Sequence, residues 1–273
     1  MNTTLKLDML FDEYLAQKAI SKSGLMQLRK TPAHLKAYLE TDSPSTPSQK
    51  LGSLAHCMIL EPETYPMRYA MAPTNDARTK EYKAFVAEIA DDRIPVKPSD
   101  VDAVNKMIAS IDRKPLIRQL IKIDGLCEVS MFWKNKLHGF DCKGRADKLI
   151  PKLNTVVDLK TNRDISDNGI QKAIYQYGYH LQAAWYLDGL KAIGESYDRF
   201  VILWVENESP YEVRATVFNN DDDWMDIARR ELEVLCMTYD RCISTGEWPG
   251  YDDGIEEAPL PPAWLQGLEM NAA

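Results

Sequence analysis

The stretch from Gly144 to Lys160, GRADKLIPKLNTVVDLK, constrains the fold more than any other part of the sequence. Its central Pro-Lys-Leu-Asn is typical of a turn and lies between two segments that suit strands, so the stretch predicts a β-hairpin. Because side chains alternate between the faces of a strand, Asp158 shares one face with Lys160 while Val157 and Leu159 share the other. We therefore expect the polar face to line a site and the apolar face to join a core.

Two carboxylates, Asp147 and Asp158, lie on the two arms of this hairpin. Carboxylate oxygens are the ligands that a hard divalent cation such as Mg²⁺ prefers, and Lys160 can orient an attacking water or neutralise a phosphate. Metal-assisted hydrolysis of a phosphodiester is therefore the first hypothesis. Asp-x-Lys also occurs as a plain ion pair on exposed strand edges, and the hairpin alone leaves that alternative open.

Composition bounds the class of protein. The chain has 273 residues, of which 45% are apolar, as expected for a globular protein. We expect it to be cytoplasmic and without membrane contact, because it shows no signal-like segment and no apolar run near the length of a membrane span. Its five cysteines are scattered, which argues against a disulfide framework or a structural zinc site. The net charge of −8 weighs mildly against nucleic-acid binding, although a local basic groove remains compatible with it.

Residues 1–122 are predicted to be mainly helical. Ser21 and Ser23 precede an apolar-periodic run, as helix caps do. The free amides of such a helix start, with Lys22 and Arg29 nearby, could hold a phosphate. An ordinary capped helix explains the same residues equally well.

A histidine stands out in the next part of the chain. His56 lies on a helix predicted from Leu51 to Leu60, between apolar positions. A histidine in that setting is often a hydrogen-bonded core residue, so its neighbours alone do not assign it a function. Further helices are predicted over Asn75 to Ala90 and over Ser99 to Ile121, with a kink or division at Pro115.

Residues 123–250 are predicted to hold a sheet, and an acidic, proline-containing tail follows over 251–273. The strands are predicted over Leu126 to Trp133, Gly139 to Ile150, Val156 to Lys160, Arg199 to Val205 and Tyr211 to Phe218. Long helices are predicted over Ile170 to Ala192 and Trp224 to Ser244. The nearly continuous apolar run of the fourth strand suits burial on both faces. The pattern indicates an α/β protein.

Two features of this region are ambiguous. Glu128 is predicted to share a strand face with Ser130 and Phe132, where it is either a third carboxylate near Asp147 or an ordinary surface glutamate. Tyrosines recur at helical spacing with Gln182 in a stripe that is typical of packing. The residues of the stripe are Tyr175, Tyr179, Gln182 and Tyr186.

Taken together, the motifs resemble the RecE-type nuclease family (exodeoxyribonuclease VIII) of the PD-(D/E)xK superfamily. The resemblance covers almost the whole chain, from the Ser-x-Ser at Ser21 to Glu247-Trp248-Pro249. It implies a single nuclease domain over 1–273, with a restriction-endonuclease-like mixed central sheet flanked by helices.

The matching motifs are LGSLAHCMILEPE, CEVSMFW, GRADKLI, VVDLKT and YHLQAAWY. They imply catalytic roles for His56, Glu128, Asp147, Asp158, Lys160 and Gln182. They imply metal ligands at Asp147, Asp158, the Leu159 carbonyl, His56 and Glu128. They imply DNA contacts at Ser21, Ser23, Arg29 and Tyr186. Alanine precedes Asp147 where members of the family have proline, and this change leaves the ligand in place.

The resemblance also implies cofactor, substrate and partners. Mg²⁺ is the expected metal, with Mn²⁺ as a substitute, and no iron–sulfur cluster is expected because Thr31-Pro32 stands where that branch has a cysteine. The implied activity degrades double-stranded DNA ends 5′ to 3′ and leaves a 3′ single strand for a RecT-type annealing protein, with the enzyme as a homo-oligomeric ring. The alternatives are a RecB-like or structure-selective endonuclease of the same superfamily, and a catalytically silent DNA-binding protein.

Overall fold

The computed structural model describes residues 3–7, 9–41, 46–90 and 93–254. Of the acidic tail predicted over 251–273, the part from residue 255 onward lies outside the described residues. The strands are β1 (Thr4–Lys6), β2 (Ile20–Ser21), β3 (Tyr69–Met71), β4 (Ile94–Val96), β5 (Leu126–Lys134), β6 (Asp141–Ile150), β7 (Thr155–Asn162), β8 (Arg199–Glu206) and β9 (Val213–Asn219). The helices are α1 (Phe11–Ala16), α2 (Lys22–Leu25), α3 (Pro32–Glu40), α4 (Pro47–Leu60), α5 (Tyr65–Arg68), α6 (Lys80–Glu88), α7 (Pro98–Asp112), α8 (Pro115–Lys122), α9 (Asp167–Tyr177), α10 (Tyr179–Ile193) and α11 (Asp223–Thr245).

Seven of the described strands form one mixed sheet. Its order is β1, β5, β6, β7, β8, β9, with β2 beside β6. The β7–β8 and β2–β6 pairs are parallel, and the other pairs of this sheet are antiparallel. The five strands expected from the sequence are confirmed. The hairpin turn is also confirmed, as a short 3₁₀ turn ending at Asn154, which has a left-handed backbone.

The sheet has a hydrophobic core on each face. Val156 and Val157 are neighbours on β7 and point to opposite sides, because strand side chains alternate. Val156 packs in a core with Leu181 of α10. Val157 packs in a second core with Leu54 of α4 and Met107 of α7. The sheet is therefore flanked by helices on both sides, and β8 between β7 and β9 is buried on both faces as predicted.

The N-terminal part of the chain contributes strands as well as helices. β1 pairs with β5 and β2 pairs with β6, so the prediction of a helical N-terminal half beside a separate sheet half was incomplete. A second small sheet joins β3 and β4, two strands that were not predicted from the sequence. These strands are two or three residues long, and their partners are distant in sequence, so no local periodicity identifies them.

Helix boundaries differ from prediction at three places. α6 begins at Lys80 rather than at the predicted Asn75, because the Thr79 side chain caps its first turn. The single helix predicted over 170–192 is two helices, α9 and α10, because Gly178 between them has a φ of +62°. α4 begins at Pro47 rather than Leu51, because Thr46 and Gln49 form a reciprocal capping box. The division at Pro115 is confirmed by α7 and α8. Among the described residues, no helix has both the length and the apolarity needed to cross a bilayer.

Candidate active site

The candidate site lies where two neighbouring strands separate. β6 and β7 pair from Ile150–Thr155 to Lys148–Val157 and no further. Asp147 and Asp158 occupy the next position of that register, so both carboxylates stand at the point of separation, which we call the fork. β7 stays paired with β8 to its end. Beyond the fork, β2 takes the place beside β6 at residues 142–143.

Side chains replace the missing strand partner at the fork. The backbone N–H of Leu159 donates to Asp147 Oδ2 at 2.8 Å. The Leu159 carbonyl accepts a hydrogen bond from His56 Nε2 at 2.7 Å, and the other ring nitrogen lies 3.3 Å from Asp147 Oδ2. His56 is carried by α4, which packs on β7. The structure thus brings together His56, Asp147 and the Leu159 carbonyl, which the family resemblance implied as metal ligands; that role stays a prediction.

Glu128 reaches the same place through an irregularity in β5. Glu128 lies opposite Asp147 in the antiparallel register of β5 and β6, but the two residues do not form a β-bridge. The backbone φ of Glu128 is +51°. Ala146 and Leu149 of β6, three residues apart, pack in the same core, so the alternation of faces reverses at Asp147. A left-handed backbone at a non-glycine residue is strained, and such strain concentrates at functional sites. Arg145 donates to both Glu128 and Ser130, in agreement with their predicted common face. By contrast, Cys127 and Val129 pack against different cores, so regular alternation fails on the N-terminal side of Glu128.

His56, Glu128 and Asp147 form a group that could hold a metal ion. One ligand atom from each lies within 4.8 Å of the other two. Glu128 keeps one oxygen available because Arg145 Nε donates to the other, Oε2, at 2.8 Å. Two carboxylates, an imidazole and the adjacent Leu159 carbonyl suit a divalent cation, so the donor set fits the metal that the sequence predicts.

Asp158 and Lys160 form a second part of the site. Lys160 Nζ lies 2.5 Å from Asp158 Oδ2, which confirms that the two side chains share a face of β7. Gln182 Nε2, from α10 on the opposite side of the sheet from α4, donates to Asp158 Oδ1 at 2.7 Å. Asp158 Oδ2 is buried and accepts no regular hydrogen bond in the described structure besides its ion pair. It therefore retains capacity for a ligand, although Asp158 is outside the group of three.

Burial and neighbouring charge shift two pKa values here. Burial raises the pKa of Asp147 to about 7; the nearby His56 opposes this shift and Asp158 adds to it. Burial alone would lower the pKa of Lys160, but the carboxylates of Asp158 and Asp147 raise it well above its usual range. Lys160 therefore keeps its positive charge. In the metal-free site, by contrast, the Asp147 carboxylate becomes protonated as the pH falls through about 7.

The four predicted DNA contacts have mixed surroundings. Ser21 caps α2 by accepting from the Gly24 amide, and Ser23 is exposed. Arg29 donates to Glu231 at 2.5 Å and to the Tyr175 carbonyl at 2.6 Å, so it joins the chain between α2 and α3 to both α11 and α9. The hydroxyl of Tyr186 donates to the Arg145 carbonyl at 2.7 Å and supports β6 beneath the fork. Their contact with DNA stays a prediction.

The structure adds residues that the motifs did not single out as part of the site. Arg145 anchors Glu128, and Trp185 Nε1 donates to the Lys143 carbonyl at 3.0 Å, beside the bond from Tyr186. Tyr179 lies under Lys160. A cation two residues before Asp147 was the available signal for Arg145. No local pattern could have paired it with Glu128.

Comparison with solved structures gives one match at the level of the fold and two weaker likenesses. A candidate exonuclease from Eubacterium rectale matches with a TM-score of 0.62 and 17% identity, covering 98% of this chain and 99% of that chain. A phage-related exonuclease from Haemophilus somnus 129PT has a TM-score of 0.33 and 12% identity, with coverages of 71% and 95%. An alkaline exonuclease from Laribacter hongkongensis has a TM-score of 0.30 and 10% identity, with coverages of 67% and 95%.

A comparison with curated protein sequences finds no match. The E. rectale structure, the one of these three with a substantial TM-score, is too distant in sequence to show more than a common fold. A family profile described as a PDDEXK-like domain of unknown function (DUF3799) matches residues 21–258. This match covers the fork, both of its carboxylates and the helices that support them, and it confirms the restriction-endonuclease-like fold class. The chain therefore belongs to the family of PDDEXK-like domains named DUF3799.

Proposed function

We propose that this protein is a metal-dependent nuclease that hydrolyses DNA phosphodiester bonds at the fork. The observation that carries the proposal is the convergence of Asp147, Asp158 and Lys160 where β6 and β7 separate. The family match supports it. A catalytically silent binding protein would have no need to keep a buried carboxylate pair beside a lysine that is always charged.

Each residue of the fork has a role in this proposal. A divalent cation held by Asp147, Asp158 and the Leu159 carbonyl, with His56 or Glu128, would supply a Lewis acid and an acidified water. Lys160 would orient the attacking water and stabilise negative charge that develops on the phosphate. Gln182 keeps Asp158 directed at the fork through their 2.7 Å hydrogen bond.

The finer activity follows from the RecE-type resemblance. The substrate would be double-stranded DNA ends, degraded 5′ to 3′ with Mg²⁺, or with Mn²⁺ in its place, and the 3′ strand would pass to a RecT-type annealing protein during recombination. A homo-oligomeric ring would concentrate basic residues around a central channel, which matters because the chain as a whole carries a net charge of −8.

The test uses linear duplex DNA labelled at either the 5′ or the 3′ end, with Mg²⁺ or with EDTA, beside a covalently closed circle. Early release of the 5′ label, dependent on Mg²⁺ and without damage to the circle, is the expected result. Cutting of the circle would favour a RecB-like or structure-selective endonuclease. Binding without cleavage in any metal would favour the silent alternative.

A further inference from the structure

A row of aromatic rings leads from the protein surface to the fork. Tyr177 ends α9 and Tyr179 begins α10, on either side of Gly178, and their ring centroids are 5.6 Å apart. The Tyr177 side chain is 51% exposed. Tyr179 is partly buried and meets Trp204 of β8 edge-on at 5.5 Å. The inner rings are packed, but the outer ring presents its surface to solvent.

Two lysines flank the middle ring of this row. Lys160 Nζ lies 5.3 Å from the centroid of the Tyr179 ring, and Lys22 Nζ lies 5.8 Å from it. Lys22 also donates to the Tyr177 carbonyl at 3.0 Å. Lys22 follows directly on β2, the strand that fills the fork beside β6, which is why it reaches this place. Lys160 is paired with Asp158, and burial lowers the pKa of Lys22 to about 7, so Lys22 carries a full positive charge beside the rings below neutral pH.

This arrangement favours one kind of occupant. An exposed ring offers a stacking surface to any base, and adjacent cations attract the phosphates that join the bases. A protein partner would be better served by a continuous apolar patch than by a single ring between charges. The second exposed tyrosine of α9, Tyr175, is 67% exposed, but Arg29 already lies 5.0 Å from the centre of its ring.

We propose that Tyr177 is a stacking platform for a base of a DNA single strand whose backbone contacts Lys22 on its way to Lys160. This DNA strand would be the one that enters the site and is cleaved there. Two steps of about 5.5 Å separate Tyr177 from the Lys160 ammonium by way of Tyr179, which corresponds to at most about three nucleotides at about 3.4 Å each. This platform rests on the proposed nuclease function and specifies how the substrate strand is held.

The test measures binding rather than cleavage. The full chain is titrated in EDTA with a single strand of about 10 nucleotides that carries the fluorescent base 2-aminopurine at one position, moved along the strand in successive experiments. Stacking quenches 2-aminopurine, so the unmodified chain is expected to quench it strongly at one or two positions. Tyr177→Leu should weaken binding roughly 5- to 140-fold, the range for loss of one base–aromatic stack, and abolish the quench there.

Three further variants define the interaction. Tyr177→Phe keeps the ring and should bind within about twofold of the unmodified chain, because stacking does not need the hydroxyl. At about pH 6, below the lowered pKa of Lys22 of about 7, Lys22→Met should weaken binding and lower the slope of log affinity against log salt by about 1, as loss of one phosphate contact does. Tyr251→Leu is the control, because Tyr251 is also an exposed tyrosine but lies against His34.

The outcomes separate this proposal from the nuclease assignment. Loss of the quench in Tyr177→Leu, with an unfolding midpoint like that of Tyr251→Leu, supports the platform even if Mg²⁺ gives no cleavage. Unchanged affinity and quench in Tyr177→Leu, or no binding by the unmodified chain, overturns the platform even if cleavage is found. A change in oligomeric state by light scattering, with binding unchanged, would also overturn it and would assign Tyr177 to contact with a second copy of the chain.

Discussion

At the scale of single residues, Lys160 is the side chain on which the proposed chemistry depends most. Its ammonium is held by Asp158 and stays charged, so it is placed to act on a phosphate without a proton transfer of its own. Lys160→Ala should lower the cleavage rate at least 100-fold, on the scale of about 3 kcal/mol for loss of a charged donor. The measurement is release of end label with Mg²⁺, and circular dichroism checks folding.

Lys152→Ala is the matched control for this substitution. Lys152 lies in the same hairpin, at the turn, and its side chain is 73% exposed with a loose pair to Asp124 at 3.7 Å. The control should cleave at the unmodified rate. Near-normal cleavage by Lys160→Ala would remove Lys160 from the catalytic role.

Asp147 should give the metal-free protein a distinctive pH dependence. Its pKa is raised from 3.8 to about 7, mainly by burial, so folding favours the protonated carboxyl. The stability that this protonation contributes is complete below about pH 4 and is lost as the pH rises through about 7. Asp147→Asn removes this titration. In EDTA, the unmodified chain should lose about 2 kcal/mol of unfolding free energy relative to Asp147→Asn between about pH 5.5 and about pH 8.

Urea unfolding at the two pH values measures this difference. Asp124→Asn serves as the control, because the Asp124 side chain is 92% exposed, and its difference from the unmodified chain should not vary with pH. If the difference between Asp147→Asn and the unmodified chain is equally constant, Asp147 is already ionised at the lower pH and the burial argument fails.

Sequence reasoning predicted most of the individual candidates but not all of their settings. Strand alternation was enough to put Asp158 and Lys160 on one face. By contrast, Arg29 was expected to be available to a phosphate, and the structure pairs it with Glu231. The left-handed backbone at Glu128 was also unexpected. Both depend on partners far away in the chain, which local patterns do not report.

At the scale of elements, the break between α9 and α10 positions Gln182 and Tyr179. Gly178 has a φ of +62°, and a Cβ atom there would lie 2.5 Å from Met26 Sδ. Gly178→Ala therefore meets both a strained backbone and a clash. Gly246→Ala, at the end of α11, meets the strain alone, because φ is +76° and no atom lies within 4 Å of the Cβ position.

Both substitutions should destabilise the protein, and the difference between them isolates the clash. We expect about 1 kcal/mol for Gly246→Ala, the usual cost of a left-handed alanine, and about 1 kcal/mol or more beyond that for Gly178→Ala. Denaturant midpoints measured on the two variants give the comparison. Equal losses would mean that the Met26 side chain moves aside freely.

The elements also show where sequence patterns stop being informative. β5 to β9 and α11 were predicted because their periodicities are long and regular. The fork was not, because it depends on where pairing between β6 and β7 ends, and both strands continue beyond that point. The sequence of a strand does not show at which residue its pairing with the neighbouring strand ends. For the same reason, β1 and β2 could not be assigned to the sheet.

At the scale of the whole molecule, the site collects side chains from both faces of the sheet. α4 supplies His56 from one core and α10 supplies Gln182 from the other, while β7 between them carries Asp158 and Lys160. This is possible because the sheet is open at the fork. If β6 and β7 stayed paired along their whole length, the sheet would separate the side chains of the two faces. Because His56 and Gln182 are held by different cores, the site needs both cores to be intact.

The N-terminal segment, residues 9–17, is tied to this site by two cations of β6. Lys143 Nζ donates to the carbonyls of Tyr14, Leu15 and Gln17. Arg145 donates to the Met9 carbonyl at 2.9 Å and also to Glu128. Both cations hold the segment on the sheet, but in the described structure Arg145 alone of the two contacts a candidate metal ligand.

This difference predicts separate effects for two substitutions. Arg145→Gln removes the group that orients Glu128, so it should weaken Mn²⁺ binding about 10-fold or more, as loss of a partner to a metal ligand commonly does. Lys143→Met leaves three carbonyls without their donor and should cost about 1–3 kcal/mol of stability, with Mn²⁺ affinity within about twofold of the unmodified chain. Titration calorimetry gives the affinities and urea unfolding gives the stabilities. If both variants lose Mn²⁺ affinity in proportion to their loss of stability, Arg145 acts on the site only by holding the N-terminal segment, and Glu128 needs no orienting partner.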